Sequence, residues 1–410
     1  MQICATSPHL DDALARARSA PLDVILSLPT NMLREQPPRE LASMYHKLFG
    51  EQEICARIAK LTIPELPLPL VLDMGTFLPH STRAPSFPML RELIYRNTAG
   101  KAWHSVVAQM ISSSHGLRSL DVSAYLLDKT KHSGIWDPDV WGKLHHLRVN
   151  ASGWTRVGLR SLDIIVPWSR SIKELVITDI LWPIVETPDR ITFPNLRQAK
   201  LWSTSKGLAL IHAPLLESLE VRLLSVNADG DNHRLDMPAL RTITVSGNVQ
   251  RWIYKSNLPN LHSLTVLKQD FYNENSTPTS EVFVPGGLPS VQEATFKGSC
   301  GGGFQIAALE SVPNAQRITI IQTPFVQPPA TPQLSRSLVW RLSAKGSSLL
   351  SPHARRIQLG EPQFGFQAPD DALDRLLDKI VEVRRQRGCP LESLSVYWHR
   401  FLGPSEYVSL

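Results

Sequence analysis

Apolar positions along this chain return in one short phrase. It is clearest as Phe-Pro-Asn-Leu-Arg-Gln-Ala-Lys-Leu from Phe193 and Ala-Pro-Leu-Leu-Glu-Ser-Leu-Glu-Val from Ala213. Met-Pro-Ala-Leu-Arg-Thr-Ile-Thr-Val follows from Met237, and Leu-Pro-Asn-Leu-His-Ser-Leu-Thr-Val from Leu258. Leu196, Leu216, Leu240 and Leu261 mark the phrase at intervals of 20 to 24 residues. Its last three positions alternate apolar, variable, apolar, the period of a strand with one buried face. Proline has a fixed φ and no N–H to donate, so it suits the start of such a strand and not its interior.

Copies of varying fidelity flank the central four. Arg57-Ile-Ala-Lys-Leu-Thr-Ile lacks the proline, Phe87-Pro-Met-Leu-Arg-Glu-Leu-Ile-Tyr is clear, and cells follow at Gly116, Lys143 and Ser171. Later come Leu288-Pro-Ser-Val, Val312-Pro-Asn-Ala, a weak cell at Pro352 and a closing one at Pro390, so thirteen strands are predicted. One strand per roughly 20–29 residues with this leucine spacing is the signature of leucine-rich repeats. A single cell cannot bury its apolar face alone, so the strands are expected to stack in parallel. The predicted fold is α/β: a leucine-rich-repeat solenoid, a right-handed horseshoe with one curved parallel sheet and irregular or helical returns. Its expected divisions are a small N-terminal helical cap at 1–53, repeats at 54–403 and a tail at 404–410.

The returns differ along the chain. Leu10 to Ala17 reads as a short helix with Asp11 and Asp12 in its first turn, and Ala20 to Leu26 as a strand. Pro37 and Pro38 open a predicted helix with Leu41, Met44, Tyr45 and Leu48 on its apolar side. Trp103, Val106, Val107, Met110 and Ile111 form a helical stripe before Gly116. Leu373, Leu376, Leu377, Ile380 and Val381 do so within 370–387, whose closing Arg384, Arg385 and Arg387 suit the macrodipole. Between 190 and 330 the returns are rich in Pro, Gly, Ser and Asn and predict turns, with a projecting loop at 268–285.

Composition narrows the function. The chain has 410 residues, 42% of them apolar, 32 prolines and a formal charge of +6. No long Lys/Arg run occurs, which argues against nucleic acid. Cys4, Cys55, Cys300 and Cys389 stand apart, indicating neither a zinc site nor a disulfide framework, and fit an intracellular setting, cytoplasmic or nuclear. No signal peptide or membrane span is expected, so the sequons at Asn150 and Asn275 read as chance matches. G-x-S-x-G, H-E-x-x-H, Walker A and G-x-G-x-x-G are absent from the sequence, so no enzyme and no cofactor are expected. Ser299-Cys-Gly-Gly-Gly-Phe reads as a flexible loop, and Asp229-Gly-Asp-Asn-His, without a twelfth-position Glu, as a turn and no metal site. His145-His146 places one ring outward and one toward the core, which also argues against a metal.

Several segments resemble basidiomycete F-box/leucine-rich-repeat proteins. Arg16-Ala-Arg-Ser-Ala-Pro-Leu-Asp-Val-Ile-Leu is similar to the segment that follows their F-box, and Arg57 to Ile63 to the strand that opens their repeats. Ile380 to Val396 resembles their last unit. The resemblance implies a substrate receptor of a cullin-RING ubiquitin ligase whose F-box grips the ligase adaptor. That F-box is not found here: Leu28-Pro-Thr-Asn-Met-Leu lacks its acidic position and no C-x-x-W-R follows. The expectation is a protein-binding module that does not hold the adaptor, or a stand-alone repeat scaffold. Outward strand positions are the candidate contact residues for an unknown target protein: Arg148, Lys200, Trp202, Glu220, Arg222, Thr244, Thr265 and Lys297. Trp202 beside Lys200 and Arg222 has the composition of a binding hot spot.

Overall fold

The computed structural model describes residues 2–4, 10–26, 47–63, 86–96, 107, 110–124, 126–127, 142–150, 169–182, 190–203, 208, 210–223, 235–247, 253, 256–267, 284–298, 302–322, 341–342, 350–359 and 371–396. The chain forms two compact units, Met1–Ser203 with Leu210–Ala213, and Thr204–Ala209 with Pro214–Leu410. In both, the repeated phrase builds the same local structure. The residue before proline accepts a hydrogen bond from the N–H three residues on: Leu90 to Phe87 (3.1 Å), Leu240 to Met237 (3.1 Å), Leu261 to Leu258 (3.2 Å) and Ala315 to Val312 (3.1 Å). Proline thus occupies the second position of a β-turn, where its fixed φ is pre-set, and the strand begins after the turn.

The first unit holds β1 (Gln2–Cys4), α1 (Leu10–Ala17), β2 (Leu22–Ile25), α2 (Gln52–Arg57), β3 (Ile58–Ile63), β4 (Glu92–Tyr95), β5 (Ser119–Ser123), β6 (His146–Asn150), β7 (Glu174–Trp182), β8 (Ile191–Thr192), β9 (Gln198–Ser203) and β10 (Ile211–His212). Within it the strands run β1-β2-β3-β4-β5-β6-β7-β9, all parallel, while β8 and β10 pair separately. Residues 1–53 therefore contribute two sheet strands as well as helix. The second unit holds β11 (Ser218–Leu223), β12 (Thr242–Gly247), β13 (Ser263–Leu267), β14 (Glu293–Gly298), α3 (Gly302–Ser311), β15 (Arg317–Gln322), β16 (Arg356–Leu359), α4 (Asp371–Gln386) and β17 (Ser393–Val396). Its seven strands pair in parallel in chain order.

All thirteen strands predicted from the phrase are present. The core is made of the phrase's apolar positions in successive strands. Leu93, Leu120, Leu147, Leu175 and Ala199 stack in register in the first unit, and Leu219, Ile243, Leu264, Ala294 and Ile318 in the second, all buried. Tyr95, Val122 and Val149, and then Val221, Val245, Val266 and Phe296, form the next buried rows. The phrase's asparagines add a stitch between cells. The side-chain amide of Asn195 donates to Arg170 O (2.6 Å), that of Asn260 to Pro238 O (2.8 Å) and that of Asn314 to Pro289 O (2.8 Å).

Helix α1 spans the residues its pattern predicts and buries Leu10, Leu14 and Ala17. Val107, Met110 and Ile111 are buried, whereas Trp103 and Val106 lie outside the described residues. So do Leu41, Met44 and Tyr45, the loop at 268–283, Asp229 to His233 and the tail. Two expectations are corrected. The return at 302–311 is helix α3, not a turn or flexible loop. Gln305 to Glu310 are good helix formers, and burying Ala308 and Leu309 completely outweighs the cost of Gly302 and Gly303. His145 is half-buried and His146 exposed, so neither imidazole enters the core, because Leu144 and Leu147 already fill it. Arg384 stands in the last turn of its helix, as its charge pattern predicts, and is fully buried.

Candidate functional site

Side chains between the buried rows form the outward face of each set of strands. In the first unit, pairing places Ile94, Asp121, Arg148, Val176 and Lys200 opposite one another in a single row. A second row is Glu92, Ser119, His146, Glu174 and Gln198. Lys60 Nζ lies 2.8 Å from Glu92 Oε1, and His146 Nδ1 lies 3.0 Å from Glu174 Oε2. These are half-exposed pairs, which contribute little to stability and much to the pattern of charge.

Asp121 is the centre of this face. Its neighbours in the row are Ile94 and Arg148, and it is only 6% exposed, so its carboxylate must be satisfied by protein. Arg96 Nη2 approaches Oδ2 at 3.0 Å, Asn150 Nδ2 donates to Oδ1 at 3.0 Å, and Arg148 Nη1 stands 4.0 Å from Oδ2. The carboxylate thereby fixes two guanidiniums that are themselves about half exposed. They border a shallow depression of about 200 Å³ whose apolar lining is Ile94, Leu120, Leu147 and Val176. A guanidinium fixed by a buried carboxylate beside an apolar wall can meet a partner's carboxylate or main-chain carbonyl at small ordering cost.

In the second unit, Glu220, Thr244, Thr265, Thr295 and Thr319 share one row, with Gln358 next. Arg222, Ser246, Leu267, Lys297 and Ile321 share another. Toward β17 the face is ionic. Glu293 pairs with Arg317 and lies 3.6 Å from His262, and Glu392 lies 3.1 Å from Arg356 and 3.7 Å from Arg355.

The eight sequence-predicted contact residues are all on outward strand positions. Arg148 and Glu220 are exposed, and Lys200, Trp202, Arg222, Thr244, Thr265 and Lys297 are half-buried. Arg148 and Lys200 share a row, as do Glu220, Thr244 and Thr265, and Arg222 shares one with Lys297. Lys200 and Trp202 belong to the first unit and Arg222 to the second. Trp202 sits where the pairing of β7 with β9 shifts register, between Ile177 and Trp182. Sequence reasoning passed over Arg96 and the burial of Asp121. A carboxylate whose outward neighbours in adjacent cells are an isoleucine and an arginine was the available signal.

Cysteine chemistry is not offered at Cys55. Its thiol is buried, points at Leu48 O (3.2 Å) and is pushed up to about 12 chiefly by that burial, so little thiolate forms. Among the described residues, no three His, Cys, Asp or Glu side chains are gathered to hold a metal ion. No described helix is long and apolar enough to cross a membrane. No protein-family model and no curated protein matches this sequence.

Proposed function

We propose that this chain is a leucine-rich-repeat protein-binding module, in which outward strand positions contact a target protein. The observation that supports the reading is the register-matched row Ile94–Asp121–Arg148–Val176–Lys200, which sets immobilised charge beside apolar surface. That combination of a desolvated ionic centre and apolar neighbours is what protein hot spots use. Following the resemblance to F-box/leucine-rich-repeat proteins, the module recognises substrates for ubiquitin ligation. The missing F-box anchors at Leu28 to Leu33 favour a second reading, a stand-alone scaffold.

One experiment tests the module and separates the two readings. Benzoylphenylalanine introduced at Arg148, or at exposed Lys379 on α4 as control, is photolysed in cell extract, and captured proteins are then purified and titrated. A target captured from position 148 only, whose affinity falls about tenfold with Arg148→Glu, is the expected result. Equal capture from both positions would remove the binding-face reading. Purified ligase adaptor, added to the same chain, is expected not to bind; stable stoichiometric capture would instead restore the ligase-receptor reading.

A further inference from the structure

The position just before each strand, after the buried apolar residue that closes the turn, carries a pattern of its own. In the first unit it is occupied five times running by Arg91, Arg118, His145, Lys173 and Arg197. Main-chain bonds put these residues in single file. Arg118 N–H donates to Arg91 O, His145 to Arg118 O, Lys173 to His145 O and Arg197 to Lys173 O, each at 2.8 Å. With one strand every ~4.8 Å, the file is about 19 Å long. Arg91, Arg118, Lys173 and Arg197 are exposed. Among the described residues, the side chains of Arg91, Arg118 and Lys173 form no ion pair or hydrogen bond. The nearest acidic positions along the adjoining row, Glu92 and Glu174, are engaged by Lys60 and His146.

The positive field of the file is visible at its centre. Partial burial lowers the basicity of His145, and Lys173, Arg118 and His146 lower it further. Like charges directly opposite on neighbouring strands repel, so the file gains from any anion laid along it. The second unit has no such run: its corresponding positions are Glu217, Arg241, His262, Gln292, Gln316, Arg355 and Glu392.

We propose that this file docks an acidic, extended segment of a partner protein, about six residues spanning its length. This deepens the protein-binding reading and rests on it. A peptide fits better than a nucleic-acid strand for two reasons. The file's one aromatic ring is the half-buried His145, too little to stack successive bases. Beside it run Glu92, Ser119, His146, Glu174 and Gln198, and the side-chain oxygens of all but His146 can accept hydrogen bonds from a peptide's main-chain N–H groups, donors that a phosphate backbone lacks.

The test uses the full chain and a fluorescein-labelled decapeptide of alternating Asp and Glu, followed by anisotropy at low salt. The variant Arg118→Glu/Lys173→Glu is compared with Arg241→Glu/Lys379→Glu in the second unit, which changes net charge equally. Binding is expected to fall at least about tenfold for the first and less than about twofold for the second. Thermal unfolding of each variant is recorded, and Arg118→Gln/Lys173→Gln, which removes charge without adding any, is expected to lose binding partially. No binding by the unaltered chain, or equal loss in both reversal variants, would overturn the proposal. Tighter binding of a single-stranded thymidine oligonucleotide that responds to the same variant would overturn it too, in favour of a nucleic-acid site. No peptide binding by the unaltered chain, with intact capture at position 148, would sink this inference alone, and the reverse would sink the binding-face reading alone.

Discussion

Arg384 holds together a piece of main chain that no regular hydrogen-bond ladder serves. Its Nη1 donates to Leu350 O at 2.9 Å and its Nη2 to Ser351 O at 2.8 Å, with Leu342 O and Pro352 O at 3.5 Å. Ser351 itself has φ of 45°, a left-handed value that a side chain tolerates poorly, and the fork pins its carbonyl. Burial lowers the basicity of the guanidinium, which the carbonyls offset by solvating it. Arg384→Met should therefore destabilise the second unit by about 2–4 kcal/mol, because carbonyls are left buried without donors. Arg384→Lys should recover only part of that, since an ammonium has no planar fork. Urea denaturation of both measures it; equal stability of Arg384→Met and the unaltered chain would show that water replaces the guanidinium. The sequence placed Arg384 at a helix end but could not show that Leu350 and Ser351 lie against it. The same holds for Asp121, whose outward direction follows from strand alternation while its surroundings are set by Ile94 and Arg148 in neighbouring strands and by Arg96 and Asn150.

At the scale of the element, alternation decides which residue matters. Leu219 and Glu220 are adjacent in β11, one buried at 1% exposure and the other exposed. Leu219→Ala should cost about 2–5 kcal/mol through lost burial and the cavity it leaves. Glu220→Ala should change stability by no more than about 0.5 kcal/mol. Denaturant midpoints of the two variants check this, and similar losses would mean the register of β11 is misassigned. Strands were legible because each carries its own turn and its own period-two pattern. Returns were less so. Helix α3 starts with glycines that argue for a loop, and what overrides them is the contact of Ala308 and Leu309 with the core, a tertiary term absent from local propensity.

At the scale of the molecule, the repeat strands of each unit pair with those of the neighbouring cells, so stability is close to a sum of cells and their junctions. Val266→Ala in β13 should thus accelerate amide hydrogen exchange in β12, β13 and β14 well before it does so in β17. Uniform acceleration across the second unit, read by mass spectrometry, would indicate that the unit opens only as a whole. This nearest-neighbour construction also explains what the sequence by itself determined: the parallel strands, their order and the buried rows. All three follow from a phrase of about nine residues repeated at a near-constant interval, information that is local and redundant. Tertiary structure alone decided the Asp121 cluster, the buried Arg384 and the file from Arg91 to Arg197. Each depends on which side chains of separate cells arrive side by side, and that is settled by register between strands and by packing of the returns. The pattern within one cell carries neither.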